Sequence, residues 1–169
     1  FLKKQAKPIY DESILKPIRG NIDTRIRKLD KGDLDGIVVA EAALKRIGLE
    51  NRIAEVFKEE DMLPQAGQGA LAIVVRDDDV KIKRLLKPLN HRISFIETMA
   101  EREFLNTLGG GCRSTVGILA RAKSSIIKIK AAIISPDRKR KISKSICGDI
   151  SQALALARNL AEMIKKVLK

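Results

Sequence analysis

A chain of 169 residues with a formal net charge of +13 is long enough to bury a core as one domain or two small ones. Its two cysteines, far apart in sequence, make neither a disulfide framework nor a metal-ligand spacing, and the single histidine offers no cluster, so a reducing compartment is expected and a metal centre is not. With no apolar run of membrane-spanning length, and no signal peptide ahead of the first element, the sequence reads as cytoplasmic and without a membrane partner. The basic excess is uneven. Residues 92–169 carry 16 basic and 6 acidic side chains, against 13 and 12 in residues 1–63 and 5 and 3 in residues 64–91. Such a surface suits a polyanion, whether nucleic acid, anionic lipid or a small molecule with many carboxylates. Against nucleic acid, one tyrosine and four phenylalanines leave little to stack on bases.

In chain order, residues 2–7 read as the end of a helix, and Ile14 to Ile18 as a short strand whose Pro17 favours an edge. Next comes Arg19-Gly20-Asn21-Ile22-Asp23-Thr24-Arg25, with Ile22, Ile26 and Leu29 at helical spacing and Asn21 or Asp23 as the N-cap. Arg19 therefore sits on a strand-to-helix turn and Arg25 one turn into the helix. Free backbone N–H groups and two guanidiniums there can clamp carboxylates; equally, Arg25 can pair with an acidic surface neighbour. The apolar run 36–40 is short enough for a buried parallel strand, and Glu41 to Ile47 and Asn51 to Glu59 read as two helices broken by Gly48. That alternation predicts a βαβ unit, with Arg46 either in the ligand crevice or on a solvated helix face.

Leu63-Pro64-Gln65-Ala66-Gly67-Gln68-Gly69-Ala70 is a loop, and residues 71–75 form a second buried strand candidate. Asp77, Asp78 and Asp79 are adjacent carboxylates that splay apart, which predicts a solvated loop rather than a metal site. Helical spacing runs from Asp79 to Leu86 and from Ile93 to Leu108; strands follow at Val116 to Ala120, Ile126 to Ile134 and Ile142 to Cys147, with a turn at Pro136-Asp137. Lys128, Lys130, Lys141 and Lys144 are assigned to the polar face of this antiparallel set. Asp149 and Gln152 form a capping-box pair opening a last helix, whose apolar stripe is Leu154, Ala157, Leu160, Ala161, Ile164 and Leu168. The final third is thus an α+β domain of about three antiparallel strands and two helices, with Cys147 an ordinary strand residue.

Between the helical run that ends at Leu108 and the first of these strands lies Leu108-Gly109-Gly110-Gly111-Cys112-Arg113. Three glycines make a loop that leaves backbone bare, and a thiol projecting from it beside a cation is a plausible nucleophile or attachment point. The same residues also read as a helix capped by glycine, followed by a cysteine buried at the start of a strand.

Four segments, in order and at matching spacing from Lys16 onward, resemble the porphobilinogen deaminase (hydroxymethylbilane synthase) family. They are Arg19 to Arg25, Glu41 to Leu49, Leu63 to Ala70, and Ala100-Glu101-Arg102-Glu103-Phe104 running on to Gly110-Gly111-Cys112. The resemblance implies a transferase of tetrapyrrole (haem) biosynthesis. In that family the loop cysteine carries a dipyrromethane cofactor through a thioether, porphobilinogen units are added to it one at a time with loss of ammonia, and hydroxymethylbilane is released. By match to the family's motifs Cys112 is the attachment residue, Arg19, Arg25 and Arg46 bind substrate and cofactor carboxylates, and Gly20 and Gln68 are backbone and side-chain contacts. Lys3 and Lys4 stand where the family has a pair of arginines holding the cofactor, although lysine cannot make the same fork. No metal, nucleic acid or membrane partner is implied, and the full-length protein is expected to be a monomer.

The resemblance also implies what is missing. Family members are nearly twice as long, with a first domain that supplies a catalytic aspartate within a Lys-Asp pair; no stretch of these 169 residues matches it, and Asp33, Asp35 and Asp77 lie in unrelated contexts. The first residue is Phe1 rather than methionine, so the expectation is a fragment, inactive by itself. Residues 1–63 would be an incomplete α/β domain like those of periplasmic binding proteins, 64–88 a segment returning to the missing first domain, and 89–169 the α+β domain with the cofactor cysteine. Many relatives have proline where this chain has Thr115. The alternative from a different class is a basic polyanion- or nucleic-acid-binding module that keeps the fold without the chemistry.

Overall fold

The computed structural model describes residues 16–109, 116–134 and 140–168. The expectations for residues 2–7, for the Pro136-Asp137 turn, and for Lys3, Lys4 and Cys112 fall outside these residues. The chain divides after Asp61 into two compact units.

In the first unit, helix α1 (Ile22–Asp30) starts where the sequence allows two caps and the structure takes one. Asn21 is extended, and its side chain accepts from the Thr24 backbone N–H at 3.2 Å. Asp23 instead lies in the first turn, where its charge suits the helix dipole. Helix α2 (Glu41–Arg46) buries Leu44, and Gly48 follows it at φ +70°. The helix expected from Asn51 to Glu59 is reduced to a single 3-10 turn, Glu50–Arg52, with Arg52 bridging to Asp30. Residues 16–19 have no regular structure.

The larger correction concerns the parallel sheet. Residues 36–40 and 71–75 carry no strand ladder, and among the described residues the strands are those of one antiparallel sheet. Leu71 is 75% exposed and Val74 90% exposed, the reverse of what a buried strand requires. An apolar run records a need for burial, but a strand exists only where a neighbour completes its hydrogen bonds.

The second unit has that neighbour. Strands β1 (Val116–Lys123), β2 (Ile126–Ile134) and β3 (Lys141–Asp149) form a sheet in that order, antiparallel throughout. Register puts Ile118, Ile127, Ile129, Ile133 and Ile142 on one face. Helices α4 (Arg92–Leu108) and α5 (Ala153–Leu168) cover that face, adding Phe104, Leu160 and Ile164 to the core. Burying each of these side chains contributes about 1.5–3 kcal/mol. The same register puts Arg121, Lys123, Lys128, Lys130 and Lys141 on the opposite face; Lys144, three residues from Lys141, shares the parity of Ile142 and Ile146 and escapes burial because β3 is an edge strand.

Local chemistry adjusts the other boundaries. Asp79 caps helix α3 (Val80–Leu86), accepting from the Ile82 N–H at 3.0 Å, while Asp77 pairs with Lys83, so the two carboxylates point to different partners. The expected capping box gives way to a tighter turn. Asp149 accepts from the Ser151 N–H at 2.8 Å and from its hydroxyl, which holds this carboxyl below its ordinary range. A 3-10 turn, Ile150–Gln152, therefore precedes α5, whose buried stripe is Ala153, Ala157, Leu160, Ala161 and Ile164. Cys147 is an exposed free cysteine in β3.

Candidate functional site

The turn ahead of α1 is built to hold an arginine. Gly20 has φ +115°, and a Cβ there would come within 3.0 Å of the Thr24 methyl, so glycine answers both the backbone and the space. The carbonyl that this conformation presents accepts from Arg25 Nε at 2.9 Å. That bond fixes the root of the guanidinium and leaves its two terminal nitrogens for other acceptors. Asn21 Oδ1 also accepts from the Thr24 hydroxyl at 2.7 Å, closing the turn from the other side. Arg19 lies exposed at its entrance.

Arg46 is anchored in the same manner, its Nε donating to the Ala42 carbonyl one turn earlier at 3.2 Å. Lys45, by contrast, pairs with Glu41, and that hydrogen bond and charge raise its pKa. Arg19, Arg25 and Arg46 all belong to the unit that ends at Asp61. A planar, permanently charged fork held at Nε is suited to carboxylates.

Gln68 belongs to the second unit, on a loop turned by Gly67 at φ +72° and Gly69 at φ +87°. Its side chain is exposed, and its backbone N–H donates to the Gln65 carbonyl at 3.1 Å. The loop is tied down on three sides. Leu63 is buried against Gly117 of β1, where a Cβ would meet the Leu63 carbonyl oxygen at 2.7 Å, so only glycine admits this approach. The Pro64 carbonyl accepts from the Ile118 N–H at 2.8 Å. The Gly67 N–H donates to Glu101 at 2.7 Å.

Glu101 is the residue that sequence reasoning missed. It is 6% exposed, the one buried charged residue among those described, and its second oxygen accepts from the Ala120 N–H of β1 at 2.9 Å. Burial pushes its pKa above the ordinary carboxyl value, against the pull of the two N–H donors. Glu97, one turn earlier on α4, accepts from the Ala122 N–H at 2.7 Å. Pro64, Glu101 and Glu97 thus complete the N–H groups of Ile118, Ala120 and Ala122 along the edge of β1 that β2 does not cover. The available signal was a glutamate in register with Ala100, Phe104 and Leu108 on an otherwise apolar helix stripe.

Helix α4 ends at Gly109, φ +99°, whose N–H donates to the Leu105 and Asn106 carbonyls. One half of the alternative reading of the glycine loop, a glycine capping the helix, is therefore present; Cys112 itself lies outside the described residues. Among the described residues no cluster of three or more His, Cys, Asp or Glu side chains is placed to hold a metal, and no helix is long and apolar enough to cross a membrane.

Two family models match the chain. "Porphobilinogen deaminase, dipyromethane cofactor binding domain" matches residues 3–84, and "Porphobilinogen deaminase, C-terminal domain" matches residues 95–166. Among curated relatives, a porphobilinogen deaminase of Thermus thermophilus is 39% identical over 160 residues, covering 94% of this chain and 53% of its own length. One of Syntrophomonas wolfei is 41% identical over 160 residues, covering 95% and 52%. One of Clostridium botulinum is 43% identical over 163 residues, covering 96% and 55%. The chain spans about half the length of the curated relatives it matches.

Proposed function

We propose that this chain, which belongs to the porphobilinogen deaminase family, is the part of a hydroxymethylbilane synthase that holds a growing, carboxylate-bearing pyrrole chain. The reaction is the stepwise condensation of four porphobilinogen units onto a dipyrromethane joined to Cys112 by a thioether, with release of ammonia and hydroxymethylbilane. When bound, the dipyrromethane supplies the pyrrole carbon at which the chain is extended. The observation that carries the reading is the Gly20 turn, whose carbonyl accepts from Arg25 Nε inside the segment matched by the cofactor-binding family model.

On this reading Arg19, Arg25 and Arg46 bind acetate and propionate groups through their free guanidinium edges, and the preset Nε bonds of Arg25 and Arg46 reduce the ordering needed on binding. Gly20 and Gln68 add backbone and side-chain contacts, and Lys3 and Lys4 act as point charges toward the cofactor. Residues 1–63 are read as part of an incomplete α/β domain like those of periplasmic binding proteins. Domain limits at 63 and 88 follow from the same reading. The active protein is cytoplasmic and monomeric.

Because no stretch here matches the family's catalytic aspartate, the 169-residue chain by itself is expected not to turn over porphobilinogen. Incubation with porphobilinogen, followed by chromatography for hydroxymethylbilane or uroporphyrin, tests this; product above the blank overturns it. Intact mass tests the attachment. An increment of two linked pyrroles, lost in Cys112→Ala, supports the thioether, and a preparation of unmodified mass that gains none from hydroxymethylbilane counts against it.

The sheet register favours a second reading. Lys123 and Lys128 lie on one face of the sheet in the part of the chain where the basic excess is concentrated, and a basic face suits a polyanion. A polyanion-binding module would be retained on DNA in a salt-dependent way whether or not Cys112 is replaced.

A further inference from the structure

The two edges of the sheet are finished differently. In β1 the N–H groups of Ile118, Ala120 and Ala122 turn away from β2 and are taken by the Pro64 carbonyl at 2.8 Å, Glu101 at 2.9 Å and Glu97 at 2.7 Å. Antiparallel alternation carries this pattern through both registers. The even-numbered residues of β3 bond to β2, and Ser143, Ser145 and Cys147 turn their N–H and C=O groups to the free edge. All three residues are exposed, and among the described residues no partner meets these backbone groups there.

The side chains along this edge define what would complete it. Ile142, Lys144 and Ile146 share the parity of the face that the helices cover. Ile142 is buried and Ile146 half-buried, but Lys144 between them is exposed and makes no ion pair among the described residues. Toward the free edge these three occupy non-hydrogen-bonded positions, where the side chain opposite comes closest. An apolar residue facing Lys144 would press its ammonium against apolar surface, whereas a carboxylate would pair with it.

We propose that the β3 edge is a strand-addition site for an extended segment of a partner protein whose alternate residues are apolar, acidic and apolar, the carboxylate facing Lys144 and the apolar residues facing Ile142 and Ile146. Main-chain hydrogen bonds to Ser143, Ser145 and Cys147 supply the binding, and Lys144 supplies the choice of partner. With 16 basic and 6 acidic side chains, residues 92–169 attract an acidic segment and disfavour a second copy of this chain. This site stands apart from the pyrrole chemistry and holds whether or not that reading does.

The probe is the peptide acetyl-TVTETVT-amide, titrated into the 169-residue chain and followed by amide NMR. Shifts and slowed exchange should fall on the Ser143, Ser145 and Cys147 amides, with those of Ile118, Ala120 and Ala122 unchanged. No shift at millimolar peptide, or shifts centred on β1, would overturn the site. The analogue TVTKTVT should bind about tenfold more weakly, since an opposite-charge pair becomes a like-charge pair. Lys144→Glu should reverse that preference; equal affinities, or an unreversed preference, overturn the role of Lys144.

Ser145→Pro removes the middle outward N–H and leaves the β2 ladder intact, because an edge strand tolerates proline on its free side. It should abolish binding, and binding at wild-type strength would overturn strand addition. The peptide TVPEPVT keeps the charge but cannot form a strand; if it binds as well as TVTETVT, the edge is only a cationic surface and the proposal fails. If the β3 amides broaden with protein concentration in the absence of peptide, the occupant is a second copy, which overturns the assignment to a partner segment.

Discussion

Residues 71–75 and strand β2 are both rich in β-branched apolar residues, and they meet opposite fates. Ile129 in β2 is fully buried between two antiparallel neighbours and under two helices, whereas Val74 is 90% exposed and pairs with no strand among those described. The difference lies in what surrounds each run. β2 has β1 two residues before it and β3 shortly after, so its partners come from local sequence; no antiparallel neighbour adjoins residues 71–75, and a parallel one requires a long crossover. A hydrophobic run is thus a demand that only a partner satisfies.

The sharpest way to break that contrast is to truncate both runs. Ile129→Ala should cost the second unit about 2–5 kcal/mol by urea denaturation, through lost transfer energy and a cavity between sheet and helices. Val74→Ala should cost less than about 0.5 kcal/mol, as for an exposed site. Comparable losses would show that residues 71–75 are buried after all.

Smaller effects sharpen the comparison at the boundary between the loop and the sheet. Glu101→Ala leaves the Gly67 and Ala120 N–H groups without their acceptor and should cost about 1–3 kcal/mol. The pH dependence has a definite sign. Because the folded pKa of Glu101 lies above its ordinary 4.5, the folded state binds its proton more tightly. The stability due to that shift is fully present below 4.5 and is lost as pH rises through the folded value. Glu97 and Arg121 act on the same group in opposite directions, and neither reverses the shift. The wild-type stability minus that of E101Q should therefore fall as pH rises from 4 to 7 in about half-unit steps. A difference that rises with pH would show the carboxylate to be held mainly by its donors.

In the first unit the expected effect is smaller again. Asn21→Ala removes the side-chain cap of α1 and should cost about 1 kcal/mol. If the Gly20 turn positions Arg25, the same change should also weaken capture of hydroxymethylbilane. An unchanged capture rate would separate helix capping from ligand binding.

The sequence by itself determined the elements whose signals are local: the helical run of α1, the spacing of Phe104 and Leu108 on α4, the alternation of β1 to β3, and the ordered motifs that mark the family. Only the structure decided which apolar runs become strands, which of Asn21 and Asp23 caps α1, and that Glu101 joins a loop to a sheet edge. Periodicity reports which side of an element seeks burial. It does not report which backbone N–H groups a distant fold will leave open, and those groups decide what a buried carboxylate is for.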